Sequence, residues 1–132
     1  MITREIIKIA SNAKNIGLTN KYTFKSNLKN QMCGDKIKLE LTVKNLIINS
    51  MKYETESCVY CEASASLLSE RIKNLNINTI VKDLNKLKDI IYTDKFTLPV
   101  NFKDFKILIN KNNIRRIKCI NLPFDAVLKA LR

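Results

Sequence analysis

The sequence contains no histidine, and this absence excludes two large classes of chemistry. Without an imidazole, the chain has no histidine general base and no histidine ligand for a metal ion. Any metal that it holds must therefore be bound by sulfur and oxygen. The chain offers 4 cysteines and 12 acidic residues for that purpose.

Long apolar runs are also missing. No segment approaches the roughly 20 apolar residues that are needed to cross a bilayer, and residues 1–15 lack the apolar centre of a secretion signal. We therefore expect a cytoplasmic protein with no membrane partner. In that compartment, cysteines are more typically thiols or metal ligands than disulfides.

Arginine is scarce for a chain of net charge +12, with 5 Arg against 19 Lys. Arginine is expected to lead in contacts with phosphate and bases, and no basic run here is interleaved with aromatic residues. The 18 Ile and 16 Asn suggest instead that lysine is frequent because the coding sequence is rich in A and T. Nucleic acid is thus not favoured as a partner, and we expect the lysines to form a solvated face or to attract an acidic protein.

A single domain over residues 1–132 is expected, because the chain has no internal repeat, no low-complexity linker and no second domain pattern. Residues 36–44 alternate apolar and polar side chains and predict a half-buried strand. A turn at Asn45-Leu46 and an antiparallel partner at 47–55 follow, and residues 18–32 are expected to hold a loop and an edge strand. Helical spacing predicts the remaining elements at 3–14, 59–73, 78–91, 102–109 and 123–132, the last with Pro123 in its first turn.

These elements predict an α+β fold. About three antiparallel strands form a small sheet, one helix precedes the sheet, and the other helices follow it and cover it.

The cysteines and one aspartate suggest a common site. Cys33 and Asp35 flank Gly34 where the strand at 36 begins, so a thiol and a carboxylate could point at one place. Cys58 lies where the second strand passes into a helix, and Cys119 is expected just before the last helix. Three sulfurs and one oxygen suit tetrahedral Zn²⁺ or an iron–sulfur cluster. Their spacing alone matches no local metal motif, and buried structural cysteines are the alternative interpretation.

Three stretches in combination resemble the IscU/NifU/SufU family of iron–sulfur cluster assembly scaffolds. They are Asn30-Gln31-Met32-Cys33-Gly34-Asp35, the Ala63-Ser64-Ala65-Ser66 helix that follows Cys58, and Arg116-Ile117-Lys118-Cys119. The resemblance implies a compact α+β fold of the SufE/NifU type. It also implies that Cys33, Asp35, Cys58 and Cys119 converge at one exposed end of the sheet to bind a transient iron–sulfur cluster or Zn²⁺.

Departures from the IscU pattern point to the SufU-like branch. Lys118 stands where IscU-type scaffolds carry a histidine, Asn112 to Arg116 replace the chaperone-binding Leu-Pro-Pro-Val-Lys motif, and an extra segment occupies 92–113. The resemblance then implies a protein that takes sulfur from a cysteine desulfurase, with Cys33 as acceptor and Arg116 as a cationic helper. Cys61 completes a C-x-x-C pair with Cys58; it could be a redox partner or ligand, but a small helix residue in place of serine is the commoner role.

Three functions remain open from the sequence. The first is a scaffold that builds clusters and passes them to apo iron–sulfur proteins or carriers, and that is more a binding protein than an enzyme. The second is a zinc-dependent sulfur acceptor that activates a desulfurase and never holds a cluster. The third is a non-catalytic zinc domain or nucleic-acid-binding domain.

Overall fold

The computed structural model describes residues 2–93 and 97–132, and its element order confirms the predicted α+β class. The helices and strands are α1 (Arg4–Ser11), β1 (Phe24–Lys29), β2 (Lys36–Lys44), β3 (Ile47–Glu56), α2 (Val59–Arg71), α3 (Ile77–Asp89) and α4 (Ile117–Ala130). Short 3₁₀ segments occur at Ile90–Tyr92, Val100–Ile107 and Lys111–Arg116.

The three strands form one antiparallel sheet in the order β1-β2-β3. Apolar and polar side chains alternate along β2 and so point to opposite faces of the sheet. On the apolar face, Ile37, Leu39 and Leu41 are fully or almost fully buried. The predicted turn between β2 and β3 is present, and both Asn45 and Leu46 adopt positive φ, as tight two-residue hairpin turns require.

The opposite face of the sheet is charged, and its charges are matched across the strands. The register puts Lys36 opposite Glu56 and Lys38 opposite Glu54, and the amino group of Lys36 lies 3.9 Å from the Glu56 carboxylate. Cross-strand pairs of opposite sign favour this register by fractions of a kcal/mol each. The lysines of β2 therefore lie on an outer face, as predicted.

The helices cover the apolar face. Helix α2 packs against α1, α4 and β3, while α4 packs against β1, β2 and α3. Ala63 and Ala65 of α2 are fully buried, and the hydroxyl of the buried Ser64 donates a hydrogen bond of 2.6 Å to the carbonyl of Ile120 in α4. Small side chains in α2 thus let the two helices approach closely.

Two predicted helix boundaries are wrong. Helix α1 ends at Ser11 and not at residue 14, because the amide of Lys14 turns away to bond the Ser66 hydroxyl of α2. Helix α4 begins at Ile117, so Pro123 lies inside the helix and not in its first turn, and Cys119 lies within the helix and not before it. Proline is usually a helix-starting signal, but it is tolerated inside a helix whose packing supplies the stability.

The short helix predicted at 102–109 is only partly present: the structure has a 3₁₀ segment at Val100–Ile107. Residues 94–96 lie outside the described residues, and the remainder of the segment 92–113 forms 3₁₀ turns after Pro99. Phe102 and Phe105 are fully buried, and the ring of Phe105 meets Phe124 of α4 edge to face at 5.2 Å between centroids. The guanidinium of Arg71 bonds the Asp104 carboxylate at 2.6 Å and ties the segment to α2.

Among the helices at 2–93 and 97–132, none has the length and apolar character that a bilayer crossing demands.

Candidate metal site

The β1–β2 connection holds the first two donors. The amide of Asn30 bonds the carbonyl of Asp35 at 2.7 Å and closes the loop, while the amide of Gly34 bonds the Asn30 carbonyl at 2.8 Å. Gly34 has φ of +80°, a conformation that glycine adopts without strain. As a result, Cys33 is exposed near the tip of the loop, whereas Asp35 is buried at its base.

Two helix N-termini supply the other two donors. Cys58 is the N-cap residue of α2 and is half-buried. Its amide and its thiol both donate to the Asp35 carboxylate, at 3.2 Å and 3.4 Å. Cys119 is the third residue of α4 and is buried.

The structure brings the predicted donors together. The ligand atoms of Cys33, Asp35 and Cys119 all lie within 4.8 Å of one another. The sulfur atoms of Cys33 and Cys119 are 3.8 Å apart, and Cys58 joins the group through Asp35. Four residues that span 87 positions of the chain, from 33 to 119, therefore meet at one end of the sheet.

The spacing of these donors fits a tetrahedral zinc ion. Two thiolates at ~2.3 Å from one zinc lie about 3.8 Å apart at the tetrahedral angle, and a thiolate and a carboxylate oxygen lie about 3.6 Å apart. The Cys33–Cys119 sulfur separation is 3.8 Å, and the Cys58 sulfur is 3.4 Å from Asp35. Cys33, Asp35 and Cys119 could together hold Zn²⁺ or the iron of a cluster, and Cys58, which contacts Asp35, would have to move toward the other two sulfurs to complete the set.

Burial sets the electrostatics of the site. It raises the pKa of the Cys119 thiol, and the neighbouring Cys58 and Cys33 raise it further. A cation at the centre would oppose this effect, since metal binding favours the thiolate. The cluster of donors is therefore an arrangement that a positive ion would stabilise.

Cys61 is separate from this group. It is fully buried in the core, and burial raises the pKa of its thiol to about 12. Cys61 is enclosed by the core and is not among the clustered donors of the described residues, so the structure favours the packing role for Cys61.

Two cations of the α4 N-terminus flank the site. The Arg116 guanidinium lies over the ring of Tyr60 in the first turn of α2, at 5.7 Å from the ring centroid. The Lys118 ammonium lies 3.3 Å from the sulfur of Met32, the residue before Cys33. The sequence does not predict this second contact, because 86 positions separate the two residues and no local pattern connects them.

Comparison with known proteins connects this site with a family. The model of the NifU-like N terminal domain matches residues 1–108, which include Cys33, Asp35 and Cys58. The chain belongs to this family. Cys119 and Arg116 lie beyond the matched residues of this NifU-like chain, so the geometry is what brings Cys119 to the site.

Curated relatives of the NifU-like chain extend the similarity over nearly its whole length. It is 27% identical over 121 residues to the zinc-dependent sulfurtransferase SufU of Bacillus subtilis, covering 91% of this chain and 82% of that protein. It is 29% identical over 133 residues to the iron–sulfur cluster assembly scaffold protein IscU of Thermotoga maritima, covering 100% of this chain and 93% of that protein.

Solved structures share the fold. A SUF-system scaffold protein from Fervidobacterium islandicum superposes with a TM-score of 0.87 at 20% identity, covering 99% of this chain and 96% of that one. A NifU-like N-terminal protein from Brucella abortus gives 0.83 at 20% identity, covering 98% and 91%. The expected resemblance to scaffold proteins is therefore confirmed at the level of family and fold.

Proposed function

We propose that this NifU-like chain is an iron–sulfur cluster assembly scaffold that takes up sulfur at Cys33. Iron and the growing cluster are its cargo, and Cys33, Asp35, Cys58 and Cys119 are the residues that would bind them. The observation that carries the proposal is the meeting of three donors from distant parts of the chain within 4.8 Å, with Cys58 against the same carboxylate.

The exposure of Cys33 supports its role as the sulfur acceptor. Cys33 is exposed beside Met32, a residue that is itself 79% exposed, so a persulfide carried by another protein could reach it. Thiol–persulfide exchange depends on such access. Cys58 and Cys119 are more buried and are better suited to holding the cargo than to meeting the donor.

Arg116 and Asp35 have supporting roles in this proposal. The Arg116 guanidinium, held over Tyr60, is the cationic group that would assist sulfur transfer to Cys33. The Asp35 carboxylate accepts two hydrogen bonds from Cys58, so it fixes that thiol as well as offering its own oxygen. A carboxylate is also a harder and more exchangeable ligand than a thiolate, which suits cargo that must leave.

A second function, a zinc-dependent sulfur acceptor without a cluster, is favoured by one observation. The sulfur separation of 3.8 Å matches the edge of a zinc–thiolate tetrahedron, and one relative is a zinc-dependent sulfurtransferase. Zinc, when bound, would keep these cysteines as thiolates at neutral pH. Exchange of Cys33 for another ligand would then free it to accept sulfur.

A cysteine desulfurase is the partner that either function requires, and apo iron–sulfur proteins or carriers would receive the cluster. We expect the desulfurase to meet the end of the molecule that displays Cys33 and Met32. The net charge of +12 favours a partner with an acidic surface.

Anaerobic reconstitution distinguishes the two functions. The purified chain is incubated with ferrous iron, L-cysteine and a desulfurase, and visible absorbance and circular dichroism are recorded. A bound iron–sulfur chromophore is expected for the scaffold. Tight zinc, faster desulfurase turnover and no chromophore would instead identify the zinc-dependent acceptor.

Two variants make this experiment specific. Cys33→Ser should abolish both the chromophore and the activation of the desulfurase, because the accepting thiol is gone. Cys61→Ser is the matched control, since it removes one thiol of the same chain without touching the site, and it should behave as the unaltered protein. Full activity of Cys33→Ser in both assays would refute both functions.

A further inference from the structure

The sulfur atoms of Cys33 and Cys119 lie 3.8 Å apart, and this contact suggests what happens after Cys33 has received sulfur. We propose that Cys119 attacks the persulfide on Cys33 and releases it as sulfide, leaving a Cys33–Cys119 disulfide. The proposal rests on Cys33 as the sulfur acceptor, and it adds an activity: the chain itself reduces the sulfane sulfur that it carries.

The geometry selects which sulfur is attacked. The Cys119 sulfur lies 3.8 Å from the Cys33 sulfur, which is the inner atom of a persulfide. Thiol exchange requires the leaving sulfur to point away from the attacking one, in line with the bond that breaks. Because Cys119 is buried and Cys33 is exposed, an outer sulfur on Cys33 would extend away from Cys119 and toward solvent.

The reaction balances without another reactant. The thiol of Cys119 and the perthiol of Cys33 give one disulfide and one hydrogen sulfide. The bond between the two Cys33-borne sulfur atoms breaks, the bond between Cys33 and Cys119 forms, and the outer sulfur leaves with the electron pair and the thiol proton. The outer sulfur is reduced and the Cys119 sulfur is oxidised, while the Cys33 sulfur is bonded to one sulfur before and after the step and keeps its oxidation state. A dithiol reductant is needed only afterwards, to return the two cysteines to thiols.

Two other residues support this step. The Asp35 carboxylate lies within 4.8 Å of both sulfur atoms, so it places a polar group beside the bond that breaks. Cys58 is held by two hydrogen bonds to Asp35, so it is less free to compete with Cys119. The sulfide would therefore be produced beside Asp35 and Cys58, the two donors that do not enter the disulfide.

The test follows one round of sulfur release from metal-free protein, in the presence of chelator and without oxygen. The chain is loaded either by a desulfurase with L-cysteine or by inorganic polysulfide, and small molecules are then removed by gel filtration. Released sulfide is measured over time, and peptide mass spectrometry locates persulfides and disulfides. We expect one sulfide per Cys33–Cys119 disulfide formed, with no second round until a dithiol reductant is added.

The variants identify the attacking group. Cys119→Ser should keep the persulfide on Cys33 and release at least tenfold less sulfide, whereas Cys61→Ser should behave as the unaltered chain. If Cys119→Ser does not fold, Cys119→Ala replaces it in the same assay. The expected equality of the sulfide and disulfide yields is measured on the unaltered chain, so that part of the test does not depend on any variant. A persulfide that stays on Cys33, moves to Cys119, or resolves as a disulfide to Cys58 would overturn the proposal.

The two loading routes separate this proposal from the proposed function. Release after polysulfide loading, with no transfer from a desulfurase, would support the chemistry of Cys119 while contradicting the sulfur-acceptor function. Loading by the desulfurase without release would contradict only the chemistry of Cys119. A Cys33 that takes sulfur by neither route would overturn both.

Discussion

The four cysteines of the chain occupy different environments, although they are the same residue type. Cys33 is exposed, Cys58 is half-buried, and Cys119 and Cys61 are buried. Burial raises the pKa of both buried thiols. The reactivity of each cysteine therefore follows from its depth and neighbours, and the order can be measured directly.

Alkylation of the metal-free native chain with iodoacetamide should modify the exposed Cys33 first and the buried Cys61 and Cys119 much more slowly. The shift of the Cys61 pKa from 9.0 to about 12 reduces its thiolate population about a thousandfold, and burial blocks access as well. Rates are read from the peptides of a timed reaction. In denaturant the four cysteines should react at similar rates, and a native Cys61 that reacted as fast as Cys33 would contradict the assignment of Cys61 to the core.

Glu40 is an outward-facing strand residue that nevertheless lies under the segment before β1. Burial alone would raise the pKa of Glu40, but the hydrogen bonds that its carboxylate accepts from Thr19 and Asn20 lower it below its ordinary value of 4.5. A lowered pKa means that the folded state favours the charged carboxylate. Its stabilising contribution is therefore present above the ordinary pKa and is lost as the pH falls through the lower, folded value.

Glu40→Gln should test this contribution. We expect a lower denaturation midpoint than that of the unaltered chain at pH 7, and a gap that closes as the pH falls below about 4. Urea denaturation at several pH values measures the gap. Glu54→Gln is the control, because Glu54 is an exposed residue of the same outer sheet face, and a gap that widened in acid would refute the argument.

At the scale of elements, the β1–β2 loop positions the site. Gly34 has φ of +80°, and a Cβ added there would meet no atom within 4 Å. A side chain at position 34 therefore costs backbone strain and causes no clash. The strain falls on the residue between Cys33 and Asp35, two donors of the proposed site.

Gly34→Ala should destabilise the fold by about 1–2 kcal/mol and weaken zinc binding. Gly17→Ala is a matched control, because Gly17 also has a positive φ, of +110°, and open space around it, and it lies outside the loop. Both variants should lose stability in denaturant titrations, but only Gly34→Ala should lose zinc affinity in a competition with a chromophoric chelator. Equal affinities for the two variants would show that the loop conformation does not position the donors.

At the scale of the whole molecule, the site joins the β1–β2 loop to the N-termini of α2 and α4. A metal ion bound by all four donors would tie these elements together, so binding and folding should be linked. Zinc present at about 100 times its Kd contributes about 2.7 kcal/mol. For a domain of this size, that corresponds to a melting-temperature increase of about 10 °C.

Thermal melting of zinc-loaded protein should therefore shift downward by about that amount when a chelator is added. The metal content is measured first, so that the starting sample is known to carry zinc. Cys58→Ser should show a smaller shift, since it removes one donor of the proposed set. A melting temperature that did not change on removal of measured zinc would contradict a structural contribution from the site.

The sequence determined those elements whose side chains repeat with a clear period. The limits of β2 follow from its alternation, and the Asn45-Leu46 turn follows from the polar break after it, because both patterns are local. The sequence was less informative for α1 and α4. Lys14 leaves α1 to bond Ser66, and Pro123 lies inside α4, since tertiary packing outweighs a local boundary signal.

Positions at the ends of predicted elements suggested the donor set, but only the resemblance to a family implied that it converges, because the spacing of Cys33, Cys58 and Cys119 matches no local motif. Tertiary structure decided that these residues meet, and it separated Cys61 from them even though Cys61 is only three positions from Cys58. Cys58 is the N-cap at the end of α2, whereas Cys61 lies about 4.5 Å further along the helix axis, where the helix is covered by the core. The sequence determines which donor groups the chain has, whereas the distances between them and the burial of each arise only when the elements pack.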